Sequence, residues 1–476
     1  MASISSIGIG SGLDINSIIS QLVAVERQPL TKLQSEASSL QTQLSTYGQM
    51  KSGLAAVRDA AAALARASTW GLTTGTSSDP AAVSVTTGAN TLAGSYAVEV
   101  QALASVQSNA TGVYASADSL VGEGTLHIQL GTWGPGQTSF APGPAAIDIQ
   151  VGPPAESLAQ LRDKINAGSS GITASVLTDA SGARLVLRSS ATGEANGFRI
   201  GVTDNDGNNI DGLGLSALAF DPAAGILTMA QALAAANASA TLNGLSISSA
   251  SNTLSEVVDG ITLTLSKVTT APVQVDAKPD QAAIRKALDT FVSAYNDLNT
   301  LVAEQTKYDA ASKTAGVLQG DSAAVSVRTQ MRNLLGSSSA ASAMFTRLAD
   351  IGFDVQSGGE IKVDEAKLGN GLANLKEMQK LFSNSDLAVP GNNGIATQLR
   401  AMADQVLGVE GTINSRSEGL RKRIDLNQDR QDQLEERVAA VEKRLRAQYT
   451  ALDRQMAALT GLANYVNQQF GTTSQS

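Results

Sequence analysis

Residues 413–466 read INSRSEGLRKRIDLNQDRQDQLEERVAAVEKRLRAQYTALDRQMAALTGLANYV. Stepping alternately by four and three from Ile413 lands on Ser417, Leu420, Ile424, Asn427, Gln431, Leu434 and Val438. The same register continues through Val441, Leu445, Gln448, Leu452, Gln455, Leu459, Leu462 and Val466. Eleven of these sixteen positions are apolar. One stripe of a long helix must therefore be covered, which is the pattern of a coiled coil. Glu418 with Lys422 and Glu442 with Arg446 add i,i+4 ion pairs on the outer face. Asn427 and the Gln residues weaken the seam and favour one register or partner.

A single helix cannot bury such a stripe, and the N-terminal arm offers a partner. After Asp14, a candidate N-cap, Ile15, Ile18, Ile19, Leu22 and Val25 form a second stripe. Pro29 is expected to interrupt it, with another helix following through Leu33, Leu40, Leu44, Tyr47, Leu54 and Val57. Pairing the two arms brings the chain ends to one pole and leaves the middle as an insertion at the other. The expected molecule is hairpin-shaped.

The middle differs in kind. Residues 72–274 hold eight of the eleven prolines and 6 Lys+Arg against 15 Asp+Glu, so the whole net charge of −9 sits there. Alternating runs at Tyr96–Val100, Ile147–Val151, Arg184–Arg188 and Ile261–Leu265 read as strands closed by Gly, Asn and Asp turns. Ser157–Asn166 reads as a short amphipathic helix between strands. A further hairpin is expected where Phe353–Val355 and Glu360–Val363 flank Ser357-Gly-Gly. The fold class that follows is α+β: long antiparallel N- and C-terminal coiled-coil legs and a helical bundle, with two inserted β-rich domains.

Length and composition narrow the function. A chain of 476 residues allows roughly three domains. Aromatics are only 4% and charged residues 16%, which suits large protein-facing surfaces better than an enzyme pocket. Without cysteine there is no disulfide, thiolate nucleophile or zinc–thiolate site. The acidic balance argues against nucleic acid, and no run of about 18 apolar residues supports membrane insertion. Met1–Gly10 shows no basic region followed by an apolar core, so no conventional secretory signal is expected.

Single motifs yield bland readings. His127, the one histidine, sits in the alternating run Leu126–Leu130 with no visible nucleophile, as a strand-face residue would. Asp204-Asn-Asp-Gly-Asn208 opens like a calcium loop, but Asn209 and Leu215 occupy the positions that need Gly and Glu. Gly8-Ile-Gly-Ser-Gly12 lacks both the spacing and the preceding strand of a phosphate loop. Asn109-Ala-Thr and Asn237-Ala-Ser match a glycosylation sequon by chance. No catalytic, cofactor or metal residue is selected, and the chain is not expected to be an enzyme.

With these residues laid out, a family resemblance is visible. Gly8-Ile-Gly-Ser-Gly-Leu-Asp-Ile-Asn-Ser-Ile-Ile-Ser-Gln-Leu-Val, followed by Glu26-Arg-Gln-Pro-Leu30, resembles the opening of the flagellar hook-associated protein 2 family, the filament cap proteins. Asp163-Lys-Ile-Asn-Ala167 with Gly171-Ile-Thr-Ala-Ser175 is similar to the hook IN motif. Leu242–Leu245, Ser251-Asn-Thr-Leu254, Phe291-Val-Ser-Ala-Tyr-Asn296, Leu318–Ser322 and Tyr465–Phe470 continue the likeness in the family's order. Gly131–Pro144 matches no family pattern.

The resemblance implies a secreted, extracellular protein at the distal filament tip, exported through the flagellar type III channel. It implies β domains forming a distal plate, with coiled-coil legs. The function implied is to cap the filament, promote folding and insertion of exported flagellin subunits, and prevent their loss to the medium. Implied partners are the chain itself, in a ring pentamer or alternatively a hexamer; flagellin at the filament end; hook-associated junction proteins; and a cytoplasmic export chaperone at the C-terminal region. The implied layout is an N-terminal leg segment, flexible in the free protein, at 1–32, and helical parts at 33–70 and 278–410. An inner β domain spans 71–104 and 237–277, an outer one 105–236, and a C-terminal leg 411–476. The alternatives are a tip adhesin binding mucin or host glycans, with Trp70 and Trp133 as sugar-stacking candidates, or another flagellar axial protein. The expected partner interface is Leu13, Ile18, Ile19, Leu22, Val25, Leu445, Leu452, Leu459, Leu462, Tyr465, Val466 and Phe470.

Overall fold

The computed structural model describes residues 14–471, apart from 90 and 169–170; the Gly8–Gly12 stretch, Leu13 and residues 472–476 lie outside them. The described helices are α1 (Ile15–Leu64), α2 (Ala67–Trp70), α3 (Leu158–Ala167), α4 (Gln281–Thr306), α5 (Ser322–Leu335), α6 (Glu365–Ala373), α7 (Leu375–Ser383), α8 (Ile395–Leu407) and α9 (Thr412–Gly471). Long N- and C-terminal helices flank a β-rich middle, the α+β architecture expected. The chain divides into two compact units, Met1–Trp70 with Ala282–Ser476, and Gly71–Gln281. No described helix is long and apolar enough to cross a membrane.

In the helical unit, aspartates start the helices. Asp14 accepts from the Ser17 amide at 3.0 Å, Asp321 from Ala323 at 3.0 Å, and Asp364 from Ala366 at 3.0 Å, each satisfying a donor that the first turn leaves orphaned. The apolar face of α1 (Leu40, Tyr47, Met50, Leu54, Val57, Ala61, Leu64) packs in one core with Leu288, Phe291, Tyr295 and Leu298 of α4, Leu399 of α8, and Ile413 and Leu420 of α9. Trp70 is buried there, stacked 5.3 Å from Phe382, and its indole donates to the Leu64 carbonyl at 2.8 Å.

Pro29 does not end the first helix; α1 runs unbroken across it. A helical Pro removes the bond to the carbonyl four residues earlier, here that of Val25, at a cost of about 3 kcal/mol. Both Pro29 and Val25 are exposed, so water can take that carbonyl, while Val23 and Leu30 on either side are buried. The seam holds the helix through its weak residue.

The β unit has two apolar cores. Strands Thr73–Ser77, Val273–Pro279, Gly94–Ala102, Ala238–Leu242 and Leu245–Ser249 form one antiparallel sheet in that order. It shares a core (Val83, Val98, Val100, Leu263, Val275) with the three-stranded sheet Thr253–Val258, Ile261–Leu265 and Val83–Thr87. The facing layers come so close that a Cβ on Gly75 would sit 2.8 Å from the Val85 methyls. The second core (Leu126, Ile128, Leu161, Ile165, Leu187, Phe198, Phe220) lies among a five-stranded sheet, a four-stranded sheet and α3, which Ser157 and Gln160 start with a capping box.

Three motif asparagines share one device. The Asn166 side chain accepts from the Ala174 amide and donates to its carbonyl, both at 2.8 Å. Asn252 does the same to Ala104, at 2.7 and 2.9 Å, and Asn296 to Ile361, at 2.8 and 2.9 Å. An amide has one acceptor and a donor set at the spacing of a peptide group, so each Asn replaces a neighbouring strand for one residue. Asn166 thereby occupies a position on Ile172–Asp179, the outermost strand of its sheet.

Candidate functional site: the paired helices and their exposed stripe

The pairing of α1 and α9 builds the candidate site. On α9, Ile413, Leu420, Asn427 and Val438 are buried, while Ser417, Ile424, Gln431, Leu434, Val441 and Leu445 are half-buried. The expected register is therefore observed through Leu445. At the next position it fails: Tyr449, not Gln448, packs against the seam. The reason is the end of the partner, because α1 begins at Ile15 beside Leu445 and Tyr449.

On α1 the buried stripe is rotated from the expected one. Ile15, Ile19, Val23 and Leu30 are buried, Ile18 is half-buried, and Leu22 and Val25 are 41% and 61% exposed. The buried set continues the spacing of Leu33, Leu40, Leu44 and Tyr47 backwards through Pro29. Ile15, Ile19, Val23 and Val438 form a small core of their own, joined by Leu434, Leu445 and Tyr449.

Polar groups fix the pair on the bundle side. Lys51 donates to Asn414 at 2.9 Å, and Glu36 meets Arg423 at 3.5 Å. Arg416 of α9 lies 2.9 Å from Asp321, the cap of α5, with the buried Tyr47 of α1 alongside. Burial alone would raise the Asp321 pKa; the Tyr47 hydroxyl and the Arg416 guanidinium outweigh it and hold the carboxyl below its usual range. Burial, then the Asp321 charge, pushes the Tyr47 phenol upward. On α7, Glu377 is held at about 2 by Lys380, by the Ser342 hydroxyl and by the Ala343 amide. None of these contacts was visible as a motif, since Arg416 and Asp321 stand far apart in sequence.

Beyond Tyr449 the stripe of α9 is exposed: Leu452 44%, Leu459 63%, Leu462 65%, Tyr465 62% and Val466 43%. Met456, exposed at the alternative four-residue step from Leu452, joins it and was missed because Gln455 took its place in the register. At 1.5 Å per residue this stripe is about 20 Å long. Apolar side chains at coiled-coil spacing, left in solvent, suit a helix-in-groove or coiled-coil partner. Ile19 and Leu445, by contrast, are already used within the chain. Leu13 and the Phe470 side chain fall outside the described residues.

The remaining candidates resolve into structural roles. The His127 ring bridges three strands, with Nδ1 2.7 Å from the Asp148 carboxylate and Nε2 2.9 Å from the Thr203 hydroxyl, on an exposed sheet face. The order carboxylate–imidazole–hydroxyl was invisible in sequence, yet water reaches all three groups. In the acidic turn, the Asp204 carboxylate accepts from the Asp206 and Ser216 amides, so its oxygens serve the loop backbone. Asn109 is fully buried, and Asn237 is half-buried and accepts from the Glu194 amide. Trp70 is buried and cannot stack on a sugar. Trp133 packs against Phe140 at 4.5 Å and Phe220 at 6.0 Å, and donates to Gln107 at 3.0 Å.

The chain is similar to known proteins. The family model "Flagellar hook-associated protein 2 N-terminus" matches residues 11–107, "Flagellin hook IN motif" matches 145–191, and "Flagellar hook-associated protein 2 C-terminus" matches 235–461. The flagellar hook-associated protein 2 of Escherichia coli K12 is 32% identical over the full length of both chains. The B-type protein of Pseudomonas aeruginosa is 30% identical over 96% of this chain and 95% of its own. The crystal structure of the D1-D2-D3 domains of the flagellar cap protein FliD from Escherichia coli is 29% identical. It superposes with a TM-score of 0.62, covering 79% of this chain and 99% of that one.

Proposed function

The chain belongs to the flagellar hook-associated protein 2 family, and from that premise we propose how it works as the extracellular, non-catalytic cap of the bacterial filament. It self-associates and works on flagellin, promoting insertion of exported subunits at the distal end. We assign the filament and partner contact to the exposed stripe Leu452–Val466 of α9, with Ile18, Leu22 and Val25 of α1, and extend the assignment by sequence alone to Leu13 and Phe470. The carrying observation is that this stripe keeps coiled-coil spacing after its partner helix has ended.

Finer points belong to the same proposal. A ring of five copies, or six, is the assembly; hook-associated junction proteins and a cytoplasmic export chaperone are further partners. The chaperone would cover the C-terminal stripe before secretion, since such a surface invites aggregation. The two separate apolar cores support an inner β domain at 71–104 and 237–277 and an outer one at 105–236.

The test is deletion of the gene, with filaments and medium examined together. Short or absent filaments with unpolymerised flagellin in the medium, restored by the purified protein, are expected. Restoration by wild type but not by the Leu459→Ser/Leu462→Ser variant places the contact on the stripe. Normal filaments in the deletion strain would overturn the reading.

A further inference from the structure

Two loops over the second core of the β unit leave an apolar groove in water. Residues 112–120 and 212–228 meet there because Gly122, at φ 93°, lies against the second loop, where a Cβ would stand 2.6 Å from the Leu215 amide nitrogen. Leu215 and Leu218 are buried in the core and hold that loop in place. The groove has a volume of about 450 Å³ and is lined by Val113, Tyr114, Leu120, Leu213, Ala217 and Thr228. Val113, Leu120 and Leu213 are 46%, 63% and 68% exposed, so covering them with a partner is favourable.

The rim of the groove carries one sign of charge. Asp118 stands two residues before Leu120, and Asp211 two before Leu213. Asp179 pairs across its hairpin with Gly182, and a Cβ on Gly182 would meet a Val113 methyl at 2.7 Å. All three aspartates are exposed. The Ser181 hydroxyl and amide hold Asp179 below the usual carboxylate range, and the Ser216 hydroxyl and Leu213 amide do the same for Asp211, so both are charged at neutral pH. Arg184, on the same hairpin, offsets part of the Asp179 charge. No Lys or Arg occurs between Arg66 and Arg162 or between Arg199 and Lys267, so the two lining segments offer no counter-charge to Asp118 or Asp211. Such a rim repels nucleic acid and anionic lipid and attracts cations.

We infer that this groove is a docking site for a peptide segment of a partner protein whose apolar side chains are flanked by Lys or Arg. The apolar side chains fill the groove while the cations meet Asp118, Asp179 and Asp211 at its edge. Burial then supplies affinity, and charge selects among partners. The site is separate from the exposed stripe of α9 and does not depend on the contact assigned there.

Fluorescence anisotropy with the full-length protein tests it, using a labelled synthetic peptide of alternating Leu and Lys. Two companion peptides carry Glu for every Lys, or Ser for every Leu. The Leu/Lys peptide should bind saturably, at least about tenfold tighter than either companion. Leu120→Ser/Leu213→Ser, at exposed positions, should weaken it about tenfold. Asp118→Asn/Asp211→Asn keeps the oxygen that accepts from Leu213 and Ser216, and should weaken binding about threefold at low salt, a difference that fades above about 0.5 M salt. Leu459→Ser/Leu462→Ser on α9 should leave the affinity unchanged. Equal binding of the three peptides, or unchanged affinity in either groove variant, would overturn the site. So would a loss confined to the α9 variant.

Discussion

The two ends of the α1/α9 pair are built from the same helices by the same rule, yet they sit in different surroundings. At the bundle end, α4 and α8 close over the pair, and Tyr47, Met50, Leu54 and Leu64 are completely buried. At the distal end the described residues supply only two helices, their buried apolar core comes down to four side chains, and beyond Tyr449 the stripe faces water. Heptad spacing tells which face wants a partner. It does not tell whether the partner is a bundle, one helix or another molecule.

That contrast sets the expected effects of substitution. Leu54→Ala at the bundle end should destabilise the protein by about 2–5 kcal/mol, because it opens a cavity that helices on several sides cannot collapse into. A denaturant-unfolding loss below about 1 kcal/mol would remove the contrast. The asparagine clamps come next. Asn296→Ala strands the amide and carbonyl of Ile361, and about 1–3 kcal/mol should be lost in the same measurement.

Acid sharpens the comparison further. Carboxylates with depressed pKa values, Asp321 and Glu377, lie in the bundle, where the native state binds fewer protons than the unfolded chain. Their contribution is present above the ordinary carboxylate range near pH 4–4.5 and is lost as the pH falls through their lowered pKa values, about 2 for Glu377. Thermal unfolding of the Glu377→Gln variant should therefore change less than wild type between pH 5 and about 2.5. An identical pH profile would deny Glu377 that role.

Much of this was legible in the chain. The α9 register from Ile413 to Leu445, the β-rich middle and the short amphipathic helix at Ser157–Asn166 all followed from spacing and punctuation. The stripe on α1 was present too, since counting back from Leu33 through Leu30 reaches Val23 and Ile19. It was obscured by reading Pro29 as a break, when an exposed Pro inside a buried seam is tolerated. The motif asparagines were visible as letters, but their clamps were not, because Asn166, Asn252 and Asn296 each grip a residue in another segment of the chain.

What the sequence determined by itself was periodicity: local steps of 3.5 and 2 residues are consequences of backbone geometry and need no knowledge of neighbours. Only the tertiary structure decided which residues on those stripes are used up. It buried Trp70, set His127 between Asp148 and Thr203, joined Arg416 to Asp321, and left Leu452–Val466 uncovered. Those outcomes depend on where distant segments stop and meet, and no local spacing encodes where a partner helix runs out.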